Sequence, residues 1–164
     1  MTNQASGASH YDLIGSAGEH FVLYKLHLRG LLAAQAPRGF KTVDILVLNP
    51  DHSVVATIQV KTRTSGKDGG WHMKAKHETL VLPGLLYCFV DFEPPVPSTF
   101  VIPCAIVADV VKQSHESWLA RPGKGGKPHQ DTEMRRVQPS YSFPVAGYPV
   151  GWMDQYRDRW ELVR

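Results

Sequence analysis

The sequence lacks the features that define several large protein classes. Its only two cysteines, Cys88 and Cys104, lie in apolar runs without a CxxC or Cys/His pattern. Neither a disulfide scaffold nor a cysteine-based zinc site is therefore expected. No apolar run approaches the ~18 residues of a membrane-spanning helix, and residues 1–10 contain no hydrophobic segment typical of a signal peptide. We expect a soluble, cytoplasmic protein without a membrane partner.

Several common catalytic and binding motifs are also missing. The eight histidines form no HxH or HxxxH pair, and no nucleophile elbow supports serine hydrolase chemistry. Residues 123–127 are rich in glycine and lysine but lack the spacing and the hydroxyl residue of a phosphate-binding loop. With no repeat and no long linker, the chain is expected to form one domain over residues 1–164, with a flexible N-terminus at 1–10.

The net charge of +3 is small but unevenly distributed along the chain. Residues 61–76 carry a local charge of +4 and residues 121–136 a local charge of +3, which leaves −4 for the rest of the chain. Both basic segments are rich in glycine, so we predict mobile loops, the second within an irregular region at 120–150. Such loops either bind a polyanion or simply keep the protein soluble.

Hydrophobic periodicity predicts an α/β fold with a central mixed sheet flanked by helices. A helix is expected at 11–29, beginning near Asp12 and ending at Gly30. Strands are expected at 42–48, 53–62, 85–92 and 99–103, and further helices at 106–119 and 153–162. The first helix has an apolar stripe that we expect to face the core, namely Ile14, Ala17, Phe21, Tyr24 and Leu28.

The chain ends in an aromatic pattern. Trp152, Tyr156 and Trp160 are four residues apart and would share one side of the predicted last helix. We expect this stripe to pack in the core, and the alternative is a homodimer interface.

Four polar residues stand in otherwise apolar surroundings. Strand alternation predicts that Asp44 faces Thr57 or Gln59 across a hairpin, and either register leaves Asp44, Gln59 and Lys61 on one face of the sheet. Glu19 lies on the side of the first helix opposite its apolar stripe, among further apolar residues. It is expected to be partly desolvated, or else to lie at an exposed edge.

A buried carboxylate at Asp44 has to be compensated, because leaving it unpaired would cost several kcal/mol. One possibility is a simple salt bridge with Lys61. The other is a divalent cation held by Asp44, by the side-chain oxygen of Gln59 and by Glu19, directly or through water. Oxygen ligands of this kind suit Mg²⁺ or Mn²⁺.

The order Gly18-Glu19, Asp44 and then Gln59-Val60-Lys61 resembles the PD-(D/E)xK nuclease superfamily in its variant with glutamine at the middle position. The resemblance covers about residues 11–120 and implies a restriction-endonuclease-like core. It also implies that Asp44 and Gln59 bind metal, that Lys61 positions or activates the attacking water, and that Glu19 is an additional helix carboxylate.

The residues also suit phosphodiester hydrolysis, which needs a metal and a cation near the developing charge. We expect the loop that follows Lys61 to contact DNA phosphates. Trp71 and His72 would stack on bases, wedge between them, or pack the loop down. The competing hypotheses are a catalytically inactive nucleic-acid-binding module and a protein-interaction domain with only a buried Asp44–Lys61 pair. The residues expected to contact phosphates are Arg63, Lys67, Lys74 and Lys76.

Overall fold

The computed structural model describes residues 9–64 and 69–163. Within these residues the chain forms two α-helices, seven strands and four short 3₁₀ turns. The helices are α1 (His10–His27) and α2 (Cys104–Leu119). The strands are β1 (Leu32–Gln35), β2 (Ile45–Leu48), β3 (Val54–Arg63), β4 (Trp71–Lys74), β5 (Leu85–Asp91), β6 (Ser98–Pro103) and β7 (Met134–Val137). The 3₁₀ turns are Ala75–Glu78, Lys124–Gly126, Asp154–Tyr156 and Trp160–Leu162.

Five strands form a mixed sheet in the order β1-β2-β3-β5-β6. The β3–β5 pair is parallel and the other three pairs are antiparallel. Because successive side chains of a strand point to opposite faces, the sheet has two apolar faces, and each needs a cover. Helix α1 covers one face and helix α2 the other. This confirms the predicted α/β class with a central mixed sheet flanked by helices. Within the described residues no helix has the length and apolar character needed to cross a membrane.

Helix α1 packs through a different side from the one predicted. Its buried residues are Gly18, Val22 and Leu26, whereas Tyr24 and Leu28 of the expected stripe are 55% and 67% exposed. The helix is apolar on both sides, so periodicity alone does not select the buried one. The side that is buried is the one with Gly18, because a glycine there lets the helix come close to Thr62 of β3. The expected core stripe on this helix was therefore wrong.

The ends of α1 follow from its capping residues. Ser9 is the N-cap, and Asp12 is its reciprocal partner three residues into the helix, so Asp12 was correctly placed at the start but is not itself the cap. At the other end Gly30 adopts a φ of 73°, and the N–H groups of Gly30 and Leu31 donate to the carbonyls of His27 and Leu26. This is the helix stop expected at Gly30.

The two basic segments pair with each other. Strand β4 from the first and strand β7 from the second form a two-stranded antiparallel sheet. The prediction of two mobile loops was thus wrong for 71–76 and 134–136, which have regular structure. Alternation at β4 buries Trp71 and Met73 and exposes His72 and Lys74, so the pairing satisfies the backbone and leaves the polar side chains of β4 at the surface. The predicted flexible N-terminus, apart from its last two residues, and Lys67 lie outside the described residues.

The aromatic residues near the C-terminus do not form one stripe. The expected last helix is instead two 3₁₀ turns separated by an isolated bridge between Arg157 and Phe100 of β6. Trp152 is buried on the α2 side of the sheet, and Trp160 is buried on the α1 side. The segment therefore passes from one face to the other along the β6 edge. Because both tryptophans are buried in the core, they do not supply the proposed homodimer interface.

Candidate active site

Asp44 lies where β2 leaves the sheet. The observed register pairs Ile45 with Ile58, which places Asp44 level with Gln59, one of the two registers expected. Strand β3 continues past this point with β5 as its neighbour, so its backbone N–H at Val60 needs another acceptor. Asp44 supplies it, since Val60 N donates to Asp44 Oδ2 at 2.7 Å. The carboxylate is thereby held at the open side of β3.

Gln59 and Lys61 project from β3 on the face opposite α1. Their cross-strand neighbours on β5 are Tyr87 and Phe89, which belong to the α2-side core. Gln59 is only 4% exposed, and its Oε1 atom is buried without a hydrogen-bond partner in the described part of the chain. Buried side-chain acceptors are normally satisfied, so an orphaned amide oxygen points to a partner that binds there.

Within the part of the chain that the structure describes, Lys61 forms no direct salt bridge. No carboxylate oxygen of the described residues lies within 4.0 Å of its ammonium group. Burial lowers the pKa of Lys61, and the nearby charge of Asp44 offsets part of that effect. The simple buried Asp44–Lys61 ion pair considered from the sequence is therefore not formed, although the two charges are close enough to interact.

Glu19 approaches the same region from α1. Gln35, at the end of β1, donates through Nε2 to Glu19 Oε2 at 3.2 Å and fixes the carboxylate beside the start of β2. Burial raises the pKa of Glu19, and the charge of Asp44 raises it further. The helix side that carries Glu19 is the one that packs on the sheet, so the expectation of partial desolvation was correct.

The donor set suits a hard divalent cation. Asp44, Glu19 and the unpartnered Gln59 Oε1 provide oxygen ligands, which Mg²⁺ and Mn²⁺ prefer. Burial and the charge of Asp44 raise the pKa of Glu19, so a positive charge between these two carboxylates would be favourable. Among the described residues no three His, Cys, Asp or Glu side chains group as metal ligands, so the third protein ligand would have to be the Gln59 amide.

A cleft of about 440 Å³ opens beside Gln59 and Lys61. It lies between β3, strand β4 and the start of β7, where the two basic segments meet. Glu133 is the single acidic residue in its lining. An excess of cations in a concave site focuses positive potential and attracts a polyanion. The lysines of the lining are Lys41, Lys61, Lys74 and Lys76, and two histidines, His72 and His77, line the cleft as well.

Two residues expected to contact nucleic acid have structural roles instead. Arg63 Nη2 donates to Asp91 Oδ2 at 2.5 Å, and its guanidinium lies 4.3 Å from the centre of the Trp71 ring. Trp71 is 2% exposed and donates through Nε1 to the Val90 carbonyl. A buried ring cannot stack on a base, so Trp71 packs the segment down, and Arg63 is committed to a buried ion pair. Lys74, Lys76 and His72 are exposed and line the cleft.

The sequence did not reveal His77 as part of the site. His77 is buried, and its Nδ1 lies 2.7 Å from the Tyr87 hydroxyl. Burial, with the charges of Lys61 and other lysines at the cleft, lowers the pKa of His77 to about 4, so the ring is neutral near pH 7. The only available signal was its position directly after the lysines of the first basic segment, and the turn at Ala75–Glu78 that directs it inward was not expected.

Comparison with known proteins identifies a shared fold. No family model and no curated protein matches the sequence. Among solved structures, the bacterial homing endonuclease I-Ssp6803I superposes with a TM-score of 0.53 over 94% of this chain and 93% of its own. The two sequences are 12% identical. The chain therefore has the fold of this endonuclease, and the similarity extends over nearly the whole of both chains.

Proposed function

We propose that the protein is a metal-dependent endonuclease that hydrolyses phosphodiester bonds in DNA, with a site of the PD-(D/E)xK type. The observation that carries the proposal is the unpartnered, buried oxygen of Gln59 beside Asp44 and Lys61, at the mouth of a cationic cleft. The fold supports it, because the superposed protein is a homing endonuclease. The order of Glu19, Asp44, Gln59 and Lys61 along the chain supports it independently.

Each side chain has a role that follows from its position. Asp44, Gln59 and Glu19 would hold Mg²⁺ or Mn²⁺, and the bound ion would supply charge neutralisation of the phosphate and a more acidic water. Lys61 has no carboxylate within ion-pair distance in the described region, so its ammonium is available to the scissile phosphate or the water beside it. A desolvated cation stabilises developing negative charge more strongly than an exposed one.

The cationic cleft is suited to binding a polyanionic substrate. Lys41, Lys74 and Lys76 line it without belonging to the metal site, so they are suited to phosphates that flank the bond to be cut. Contacts of this type give affinity without sequence information and make binding salt-dependent. The acidic residues at the metal site would repel the same phosphates until a cation is bound, which links substrate binding to metal binding.

The test is cleavage of supercoiled plasmid in Mg²⁺ or Mn²⁺ by the wild-type chain and by Asp44→Ala and Lys61→Ala. Lys112→Ala is the matched control, because Lys112 is an exposed lysine of α2 outside the cleft. We expect cleavage by the wild type and by the control, with loss of at least about a hundredfold in the two site variants. Cleavage that survives both site substitutions would refute the assignment. Salt-dependent DNA binding without cleavage would favour the inactive binding module.

A further inference from the structure

A second cavity lies next to the cationic cleft. It has a volume of about 570 Å³ and is formed between the C-terminal half of α2, strand β7 and the chain that follows β7. Met134 at the start of β7 lines both this cavity and the cationic cleft, so it is the ridge between them. Nothing in the proposed hydrolytic site uses this cavity. The lining residues that matter below are Ser114, Trp118, Tyr141, Ser142 and Phe143.

The walls of the cavity combine aromatic rings with hydrogen-bonding groups. Trp118 is half-buried, and its indole stacks on His129 and on the cavity residue His115, with ring centres 3.9 and 5.5 Å away. Tyr141 and Phe143 form another wall, with their ring centres 5.7 Å apart. Ser142, which is exposed, also lines the cavity. Aromatic rings with hydrogen-bonding side chains beside them are what a planar heterocycle such as a nucleobase requires.

The ridge between the two cavities is itself unusual. Met134 is 52% exposed, although it is a large apolar residue on a strand. Its cross-strand partner is Lys74, which lines the cationic cleft. Exposed methionine beside a phosphate-binding surface matches the apolar wedges that separate stacked bases in nucleic-acid complexes. The wedge role considered for Trp71 in the sequence therefore has a better-placed candidate on the opposite strand.

We propose that this cavity, the aromatic cavity, binds one unstacked base of the DNA whose phosphates occupy the cationic cleft, and that Met134 separates that base from its neighbour. The inference rests on the proposed function, because it takes the cleft as the phosphate site. It defines the substrate class as DNA with an unpaired or easily everted nucleotide near the bond to be cut. Stacked base pairs would bind the cleft but leave the aromatic cavity empty.

The test compares the affinity of the wild-type protein for three short duplexes by fluorescence anisotropy in Ca²⁺. One duplex is fully paired, one has a single unpaired nucleotide, and one has the same bulge without its base. We expect the bulge with its base to bind about tenfold more tightly than the other two, as one base–aromatic stack would give. Equal affinity for the two bulged duplexes would overturn the proposal.

Variants test whether the aromatic cavity causes the preference for the bulged duplex. Trp118→Ala and Met134→Ala should each reduce the preference to less than about threefold, whereas Trp118→Phe should keep most of it. Tyr24→Ala is the control, since Tyr24 is an exposed aromatic residue on α1, outside the cavity. Met134 is exposed, so its variant keeps the fold even if Trp118→Ala lowers stability. A full preference in both alanine variants would overturn the proposal.

The two proposals fail in different ways. If the paired duplex is cleaved in Mg²⁺ but the bulge is not preferred, the nuclease assignment stands and the aromatic cavity has no base-binding role. If the bulge is preferred and Trp118→Ala abolishes that preference while no duplex is cleaved, the base-binding role stands and the catalytic assignment is wrong.

Discussion

The contact between Gly18 of α1 and Thr62 of β3 controls how the helix delivers Glu19 to the site. A methyl group added at Gly18 would lie 1.8 Å from Thr62 Oγ1 and 2.9 Å from its Cβ, distances that require the helix or the strand to move. Gly15, one turn earlier on the same helix, has nothing within 4 Å of the equivalent position. Gly15→Ala and Gly18→Ala therefore form a matched pair that differs only in this contact.

The two substitutions should change the free energy of unfolding in opposite directions. In a helix, alanine is favoured over glycine by about 1 kcal/mol, so Gly15→Ala should raise the free energy of unfolding by up to that amount. Gly18→Ala has the same gain but must displace a β-branched residue of a central strand, and overpacking of this kind costs about 1–3 kcal/mol. The contact at 1.8 Å places Gly18→Ala near the upper end of that range, which gives a net loss of about 2 kcal/mol.

Urea denaturation of the two variants measures the difference, and a double variant with Thr62→Ala tests its cause. Thr62 Oγ1 has no hydrogen-bond partner among the described residues, so removing it carries little penalty of its own. The double variant should recover part of the loss, because Cβ of residue 62 stays close. Equal effects of Gly15→Ala and Gly18→Ala, or no recovery in the double variant, would refute the packing account of how α1 is positioned.

Three further predictions concern the site. Gln59→Glu places a carboxylate at a position that is 4% exposed, so its melting temperature without metal should be lower than that of the wild type. Added Mn²⁺ should raise the melting temperature of this variant by more than it raises that of the wild type. The control Gln113→Glu, on α2, should show neither effect. His77 has a pKa of about 4 in the folded chain against about 6.5 unfolded, so its contribution to stability is complete above pH 6.5 and is lost as the pH falls towards 4. His77→Gln should flatten the pH–stability curve between pH 4 and 6.5. An unchanged slope would argue against a buried, neutral His77. Because the pKa of Glu19 is raised, protons compete with the metal for this carboxylate at a higher pH than for an ordinary glutamate. Calorimetry should therefore show that the Mn²⁺ affinity falls as the pH is lowered, and that it falls less steeply in Glu19→Gln.

The central sheet and the register of the site were predictable because strand alternation is a local property of the sequence. Asp44, Gln59 and Lys61 stand in apolar runs whose period fixes their face, and one of the two expected registers is observed. Periodicity alone left Glu19 at either a covered or an exposed position of the first helix. The resemblance to a nuclease superfamily was what placed Glu19 in the predicted site.

The errors come from features that depend on long-range packing. Helix α1 is apolar on both sides, and a tertiary contact at Gly18 selects the buried one. The glycine-rich basic segments looked like loops because the partner of β4 lies about sixty residues later in β7. Trp152 and Trp160 have helical spacing, yet the chain between them crosses the sheet edge. Arg63 looked like a phosphate ligand because its partner Asp91 comes from a different strand.

The location of a bound metal tests the central claim most directly. Crystals of the wild-type protein soaked in Mn²⁺ would reveal the ion by anomalous scattering. We predict one strong peak within about 2.0–2.5 Å of an Asp44 oxygen and of Gln59 Oε1, with Glu19 bound directly or through water. A folded protein that binds no Mn²⁺ at this site, or binds it only elsewhere, would contradict the account.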